Sequence, residues 1–234
     1  MRILAVIPCY NEEKNIVKTV ENIKKEKIDY VVINDGSKDR SLEVLKNNKI
    51  NHINLNNNVG IGGVMQTGYK YALYNNYDIV VQFDGDGQHD ASYINKITKP
   101  IIEKKANLVI GSRFVGEESE FKSTKMRRLG INLLSLLLRL MTKREIKDMT
   151  SGFRAADKNV IKIFAEKYPY EYPEPVTNLA LAKSNCKILE IPVRMKEREH
   201  GKSSISKLKS IYYMVNVILL FFIVLISKGD DFNA

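Results

Sequence analysis

Ile3-Leu4-Ala5-Val6-Ile7 is an unbroken apolar run that stops at Pro8-Cys9-Tyr10-Asn11-Glu12. A run without polar alternation is what a strand shows when helices cover both faces of a parallel sheet. The spacing then changes: Ile16, Val20 and Ile23 recur at helical intervals and predict a helix over about 15–25. Tyr30 to Ile33 predicts a second strand, ending in Asn34-Asp35-Gly36-Ser37. After a helix near Ser41 to Asn47, a third strand from Ile50 to Leu55 runs into a polar, glycine-rich stretch ending at Gly62-Gly63. A helix carrying Val64, Gly68, Tyr71 and Ala72 leads to a fourth strand, Ile79 to Phe83, and a fifth, Leu108 to Ile110, ends in Gly111-Ser112-Arg113. This alternation with short connections predicts an α/β fold with a doubly wound, mostly parallel sheet. In such sheets ligands bind outside the carboxyl ends of the strands, and each of these polar clusters falls there.

The pattern weakens after residue 113. Residues 114–125 show little periodicity and read as a loop that could close over substrate or simply be solvated. Met126 to Thr142 is apolar nearly all round, with Arg128, Asn132, Ser135 and Arg139 in one narrow stripe. Such a helix belongs in a core or against lipid. Further on, a capped turn precedes a helix at Asp157 to Ala165, a helix is expected near Thr177 to Ala182, and Ile188 to Ile191 reads as a short strand. Ile211 to Ile226 is 16 residues of apolar or aromatic character broken only by Asn216. As a helix it would reach about 24 Å, short of the roughly 30 Å hydrocarbon core, so a membrane-embedded, re-entrant or docking end is expected. Lys202, Lys207 and Lys209 before it suit the cytoplasmic side.

Composition sharpens this picture only in places. With 44% hydrophobic residues in 234, a sizeable core is expected. The net charge of +10 is uneven: residues 1–110 carry 15 Lys and Arg against 13 Asp and Glu, and residues 111–234 carry 22 against 14. A basic second half suggests a phosphate-bearing or anionic-surface partner. No basic stripe interleaved with aromatics and no zinc-finger spacing argues for nucleic acid. Cys9 and Cys186 form no paired framework, which fits structural thiols in a reducing compartment.

The chemistry concentrates at Asp84-Gly85-Asp86-Gly87-Gln88. Two carboxylates one residue apart, with glycines that let the backbone turn, can converge with the Gln88 amide oxygen on one hard cation. The same residues also make a good turn. A dinucleotide fingerprint fails because position 65 is Met, and there is no phosphate loop of the Gly-x-x-x-x-Gly-Lys type. A nucleotide held by the first two loops, its diphosphate bridged by a divalent ion at Asp84 and Asp86, accounts for the pattern more economically.

Five motifs in order carry a resemblance. Pro8-x-Tyr10-Asn11-Glu12, Asn34-Asp35-Gly36-Ser37-x-Asp39, Asn58-x-Gly60-x-Gly62-Gly63, Asp84-x-Asp86-x-Gln88 and Gly111-Ser112-Arg113 together resemble family 2 glycosyltransferases of the GT-A fold, most of all the dolichol- or polyprenyl-phosphate sugar synthases. The resemblance covers about residues 1–205. It implies a GT-A domain over 1–205, with nucleotide-sugar binding in 1–113 and the acceptor side in 114–205, followed by an apolar, membrane-associated C-terminal helix in 206–234. It implies that Pro8, Tyr10, Glu12, Asp35 and Gly60 serve the donor nucleotide and that Asp84, Asp86 and Gln88 bind Mg or Mn. Asp148-x-x-Ser151-Gly152-Phe153-Arg154 matches a further family motif, with Asp148 expected in the crevice. Arg198, Lys202 and Ser203 match the segment that folds over the donor diphosphate. Arg113, Arg128 and Arg198 would manage phosphate charge. The acidic pair that relatives acting on sugar hydroxyls place near residue 174 is absent here, leaving Glu174 as a weak candidate base. A phosphate acceptor is already largely ionised near neutral pH and needs alignment more than deprotonation. The expectation is therefore a metal-dependent, inverting transfer from a UDP- or GDP-sugar to a polyprenyl phosphate at the cytoplasmic membrane face, with a small integral-membrane partner as a further possibility. Transfer to a saccharide hydroxyl, with Glu174 as base, and a non-catalytic, membrane-recruited binding subunit are the alternatives.

Overall fold

The computed structural model describes residues 1–116, 125–195 and 216–224, with the side chains of 125–127 excepted. In chain order the sheet strands are β1 (Ile3–Cys9), β2 (Asp29–Asp35), β3 (His52–Leu55), β4 (Ile79–Gln82), β5 (Leu108–Ser112), β6 (Arg154–Asp157) and β7 (Ile188–Pro192). The helices are α1 (Ile16–Lys25), α2 (Ser41–Asn47), α3 (Gly60–Tyr74), α4 (Ile94–Ile102), α5 (Lys125–Thr142), α6 (Lys158–Glu166) and α7 (Pro173–Lys183). The seven strands form one sheet in the order β3-β2-β1-β4-β6-β5-β7. All neighbours are parallel except β6, which runs antiparallel to both β4 and β5. The expected α/β fold with a mostly parallel sheet is present. The inserted strand is not in the sequence reading: Arg154-Ala155-Ala156-Asp157 is short and has no β-branched residue to mark it.

The period of two in each strand divides the core. Leu4 and Val6 of β1 point into one apolar layer while Ala5, Ile7 and Cys9 point into the other. Ile16, Val20 and Ile23 of α1 and Ile94, Ile97 and Ile101 of α4 close the second layer. The first is closed by α3 and α6, through Val64, Met65, Tyr69, Val160 and Phe164. Asp157 caps α6, its carboxylate accepting from Val160 N at 2.9 Å.

Outside that first layer lies another. Every residue of α7 is buried except Glu174 and Lys183, because α5 and the helical residues 216–224 lie over it. Ile131, Leu134 and Leu138 of α5 and Val217 and Phe221 turn inward. Both ends of α7 are tied down, Asn216 Nδ2 donating to Tyr172 Oη at 3.4 Å and Lys183 Nζ to the Val224 carbonyl at 2.6 Å. No apolar C-terminal helix of the expected length is present among the described residues, and no helix among them is long and apolar enough to cross a membrane. Half of the apolar side chains of residues 216–224 pack into the protein core.

Candidate active site

The carboxyl ends of β1, β2 and β3 are knitted together by short polar side chains. Asn11 N donates to Ser37 Oγ at 3.0 Å, and Ser37 Oγ to Asn34 Oδ1 at 2.6 Å, while Asn34 Nδ2 reaches Asn54 Oδ1 at 2.7 Å. Glu12 N donates to Ser41 Oγ at 2.8 Å, and the Glu12 carboxylate accepts from Asn15 Nδ2 at 2.7 Å. Asp35, only 4% exposed, accepts from Val59 N at 2.7 Å and Gly60 N at 3.1 Å, so it caps α3 and meets the positive end of its dipole. Gly60 therefore joins the site through Asp35. Tyr10 stands at the rim, 41% exposed. Cys9 sits just behind, and burial pushes its thiol up to about 12, which makes it a structural group.

The Asp84–Gln88 turn leaves β4 and crosses the end of β1. A side chain at Gly85 would place its Cβ 2.7 Å from the Pro8 carbonyl oxygen, so this approach is open to glycine alone. Thr19 Oγ1 on α1 clamps the same peptide, donating to Gly85 O at 3.3 Å. Asp86 is buried, its Oδ1 accepting from Gln88 N at 3.0 Å, and Asp84 is half-buried. A residue outside the sequence reading, His89, orients Asp84. Its Nδ1 accepts the Asp84 N–H at 3.1 Å, which leaves the ring proton on Nε2, 3.4 Å from Asp84 Oδ2. Burial lowers the His89 pKa to about 4 against the pull of Asp86, so the ring stays neutral at physiological pH. It stacks on Phe153 at 4.9 Å between centroids.

Two carboxylates and an amide on one turn form a hard oxygen donor set. A magnesium-sized ion is characteristically bound by one or two carboxylates with the rest of its shell from water and substrate phosphates, so Asp84, Asp86 and Gln88 fit such an ion. No group of three or more His, Cys, Asp or Glu among the described residues makes a complete metal cage.

On the far side of the turn, Arg113 follows β5. Asp148 is not in the crevice, as expected, but fully buried behind Arg113. It accepts from Arg113 N at 2.9 Å, Nε at 2.8 Å and Nη2 at 2.7 Å. This fork-on-fork pairing needs a dry pocket and explains the burial. Asp148 is itself placed by Glu190 of β7, which accepts from Lys147 N and Asp148 N. Burial raises the Glu190 pKa against those two bonds. The guanidinium carbons of Arg113 and Arg128 both lie over the Phe114 ring, at 5.4 and 3.9 Å from its centroid. Glu174, at the head of α7, accepts from Gln82 Nε2 of β4 at 3.2 Å. Gln82 was read only as part of an apolar strand, and a polar residue at a fully buried strand position was the available signal. Arg198, Lys202 and Ser203 lie outside the described residues, as do 117–124 of the expected closing loop.

Comparison with known proteins agrees with this architecture. Residues 4–164 match the model of glycosyl transferase family 2. A UDP-N-acetylglucosamine–dolichyl-phosphate N-acetylglucosaminyltransferase of Methanococcus voltae is 33% identical over 213 residues, covering 82% of this chain and 84% of the relative. An undecaprenyl-phosphate mannosyltransferase of Micrococcus luteus is 26% identical over 217 residues, 88% of each chain. The crystal structure of glucosyl-3-phosphoglycerate synthase from Mycobacterium tuberculosis with Mn2+, UDP and phosphoglyceric acid superposes with a TM-score of 0.70 at 17% identity, covering 97% of this chain and 79% of that one. Polar loops at the carboxyl ends of the strands, a carboxylate turn beside them and a family match over most of the sheet lead to one conclusion: this chain belongs to glycosyl transferase family 2 and is a glycosyltransferase.

Proposed function

We propose that this enzyme transfers a sugar, with inversion, from a nucleoside-diphosphate sugar to a polyprenyl phosphate at the cytoplasmic face of a membrane. The observation that carries the acceptor class is the pair of guanidiniums over Phe114. Arg113 is held rigid by Asp148 beside the metal turn, and Arg128 opens the way to it from the head of α5. Arg113 is already paired with Asp148, so the exposed Arg128 over the same ring is the cation that favours a small anion such as a phosphate monoester. The names of the Methanococcus and Micrococcus relatives support the same acceptor class.

A phosphate oxygen of the acceptor attacks the anomeric carbon, and the bond from that carbon to the nucleoside diphosphate breaks with both electrons leaving on the diphosphate. A divalent ion, Mg or Mn, supplies charge neutralisation for that leaving group when bound. Asp84, Asp86 and Gln88 would hold it, with His89 fixing the orientation of the Asp84 carboxylate. Arg113 and Arg128 align the incoming phosphate, and no proton need be removed. The donor nucleotide lies against Tyr10, Glu12 and Asp35. Turnover of a panel of UDP- and GDP-sugars, with and without polyprenyl phosphate and Mg or Mn, tests this directly. Donor consumption indifferent to the lipid phosphate, or transfer to a saccharide hydroxyl instead, overturns the acceptor assignment.

The outer face of α5 supports the membrane setting. Leu129, Leu133, Leu136 and Leu140 form a row that points away from the core and is 71, 41, 51 and 72% exposed. Arg128 and Arg139 run alongside, and α5 has no acidic residue. Leu219, Phe222 and Ile223 of the neighbouring helical stretch are 56, 52 and 60% exposed. An apolar row flanked by basic residues lies naturally in a headgroup layer. Leu133→Glu with Leu136→Glu is expected to cut co-sedimentation with phosphatidylglycerol vesicles severalfold while leaving the unfolding temperature unchanged; undiminished sedimentation removes this face from the membrane contact.

A further inference from the structure

Arg154 is among the largest fully buried side chains in the protein, 1% exposed. Its partners are all neutral: Nη1 donates to Thr177 Oγ1 at 2.9 Å, and Nη2 to Tyr168 Oη at 2.7 Å and Gln82 Oε1 at 3.3 Å. Burial holds the Tyr168 phenol well above its ordinary pKa, so it too carries no charge. Nε has no partner among the described residues. A guanidinium in the core without a contacting carboxylate is costly, and it is the kind of feature that persists for a reason other than stability.

The one carboxylate among the described residues whose field reaches Arg154 is Glu174. The two are joined through Gln82, whose Oε1 faces Arg154 and whose Nε2 faces Glu174 at 3.2 Å. A cation on one side and an anion on the other leave the Gln82 amide a single orientation. Glu174 is also the window in an otherwise buried helix, since its neighbours Pro173 and Pro175 to Ala182 are all buried. Gly152 lies between Gln82 and the Asp84 turn. A Cβ built on Gly152 would meet Asp84 Oδ2 at 3.0 Å and Gln82 Nε2 at 3.3 Å, so glycine at 152 leaves the floor between them clear. Glu174 Oε2 accepts no bond from any other described residue.

We propose that Arg154 and Gln82 are positioning residues that fix the Glu174 carboxylate at the crevice floor, where Oε2 accepts a hydrogen bond from a hydroxyl of the transferred sugar. This rests on the glycosyl-transfer reading above and deepens it. Glu174 thereby becomes a sugar-orienting group and needs no role as a base. The relay spans three elements, β4, β6 and α7, and ties sugar recognition to the same strand that delivers Asp84.

The test uses Arg154→Met, Gln82→Leu and Glu174→Gln in the full chain. Arg154→Met keeps the volume and removes the charge, a replacement that commonly preserves folding. Each variant is expected to bind the bare nucleoside diphosphate, UDP or GDP, with wild-type affinity and to lose at least about tenfold in kcat with the matched nucleotide sugar, and Arg154→Lys restores part of that loss. The Arg154→Met/Glu174→Gln double variant should be no slower than Glu174→Gln alone. Wild-type turnover in Arg154→Met, or a parallel loss of bare-nucleotide affinity, overturns the proposal. Thermal melts judge the relay without any donor: Arg154→Met and Glu174→Gln should be coupled in the parent and uncoupled in the Gln82→Leu background. Coupling that persists without Gln82 overturns the relay. A wild-type protein that transfers no sugar from the panel instead refutes the donor reading, and the melts still decide the relay.

Discussion

Asp86→Asn is expected to lower kcat by about 10²–10³-fold with little change in unfolding temperature, the scale on which removal of one fixed electrostatic group acts at a developing charge. Asn has the size of Asp, and its side-chain oxygen can still accept the Gln88 N–H that now lies at 3.0 Å. What it lacks is the charge that would hold a divalent ion against a diphosphate. The loss should therefore fall on the Mg or Mn concentration needed for half-maximal rate as well as on kcat. Asp84→Asn should differ in kind, because Asp84 also faces His89 Nε2 at 3.4 Å and an amide there can turn its oxygen toward that N–H, leaving its NH2 on the other side. Full turnover in Asp86→Asn, with unaltered metal dependence, would remove this turn from the metal site.

Asp148→Ala should do the reverse, acting first on the fold. The Arg113–Asp148 pair is almost completely dry, with side chains 6 and 0% exposed and a 2.7 Å contact. Removing one member of a buried pair typically costs about 3–5 kcal/mol, because the other charge is left uncompensated. For a chain of this size that is a fall of roughly 10 °C in Tm. A double replacement, Arg113→Met with Asp148→Leu, should recover most of that stability and yet remain inactive. That outcome separates the two jobs of the pair: Asp148 exists to hold Arg113, and Arg113 exists for the substrate. A differential melt of the three proteins, with turnover measured on each, checks it. If Asp148→Ala melts with the wild type, the pair is not the structural element described here.

The half proposed to bind the donor was legible from sequence because its pattern is local. Asp84, Asp86 and Gln88 sit on one turn, and the loops after β1, β2 and β3 each announce themselves with short polar residues and glycine. Six of the seven strands, all but β6, are legible in the sequence pattern. The acceptor half was less legible because its contacts are between segments distant in the chain. Asp148 is expected in the crevice from the family motif, but only the fold shows it buried against Arg113, 35 residues earlier in the chain. Gln82 and Glu174 are 92 residues apart and no periodicity links them. His89 stands next to Gln88 in the turn, yet its role depends on Phe153, a side chain brought under it by a strand too short to be recognised. On α5 the polar stripe was read correctly as a stripe. Its position beside an outward row of leucines needed the location of the core, which sequence pattern alone does not give.

That short strand has a consequence for the order in which the molecule assembles. In the sheet β4 and β5 never touch; β6 lies between them and bonds to both. Until residues 154–157 are made, the first four strands and β5 are two pieces with open hydrogen-bonding edges. Closure thus waits on a contact between strands more than 70 residues apart in the chain, the register pairing Gln82 with Arg154. The segment that zips the sheet also carries Gly152 and Phe153 to the underside of the metal turn. A nascent chain can therefore shape the loops after β1, β2 and β3 early, but it gains the residues beneath the Asp84 turn only when the sheet becomes one piece.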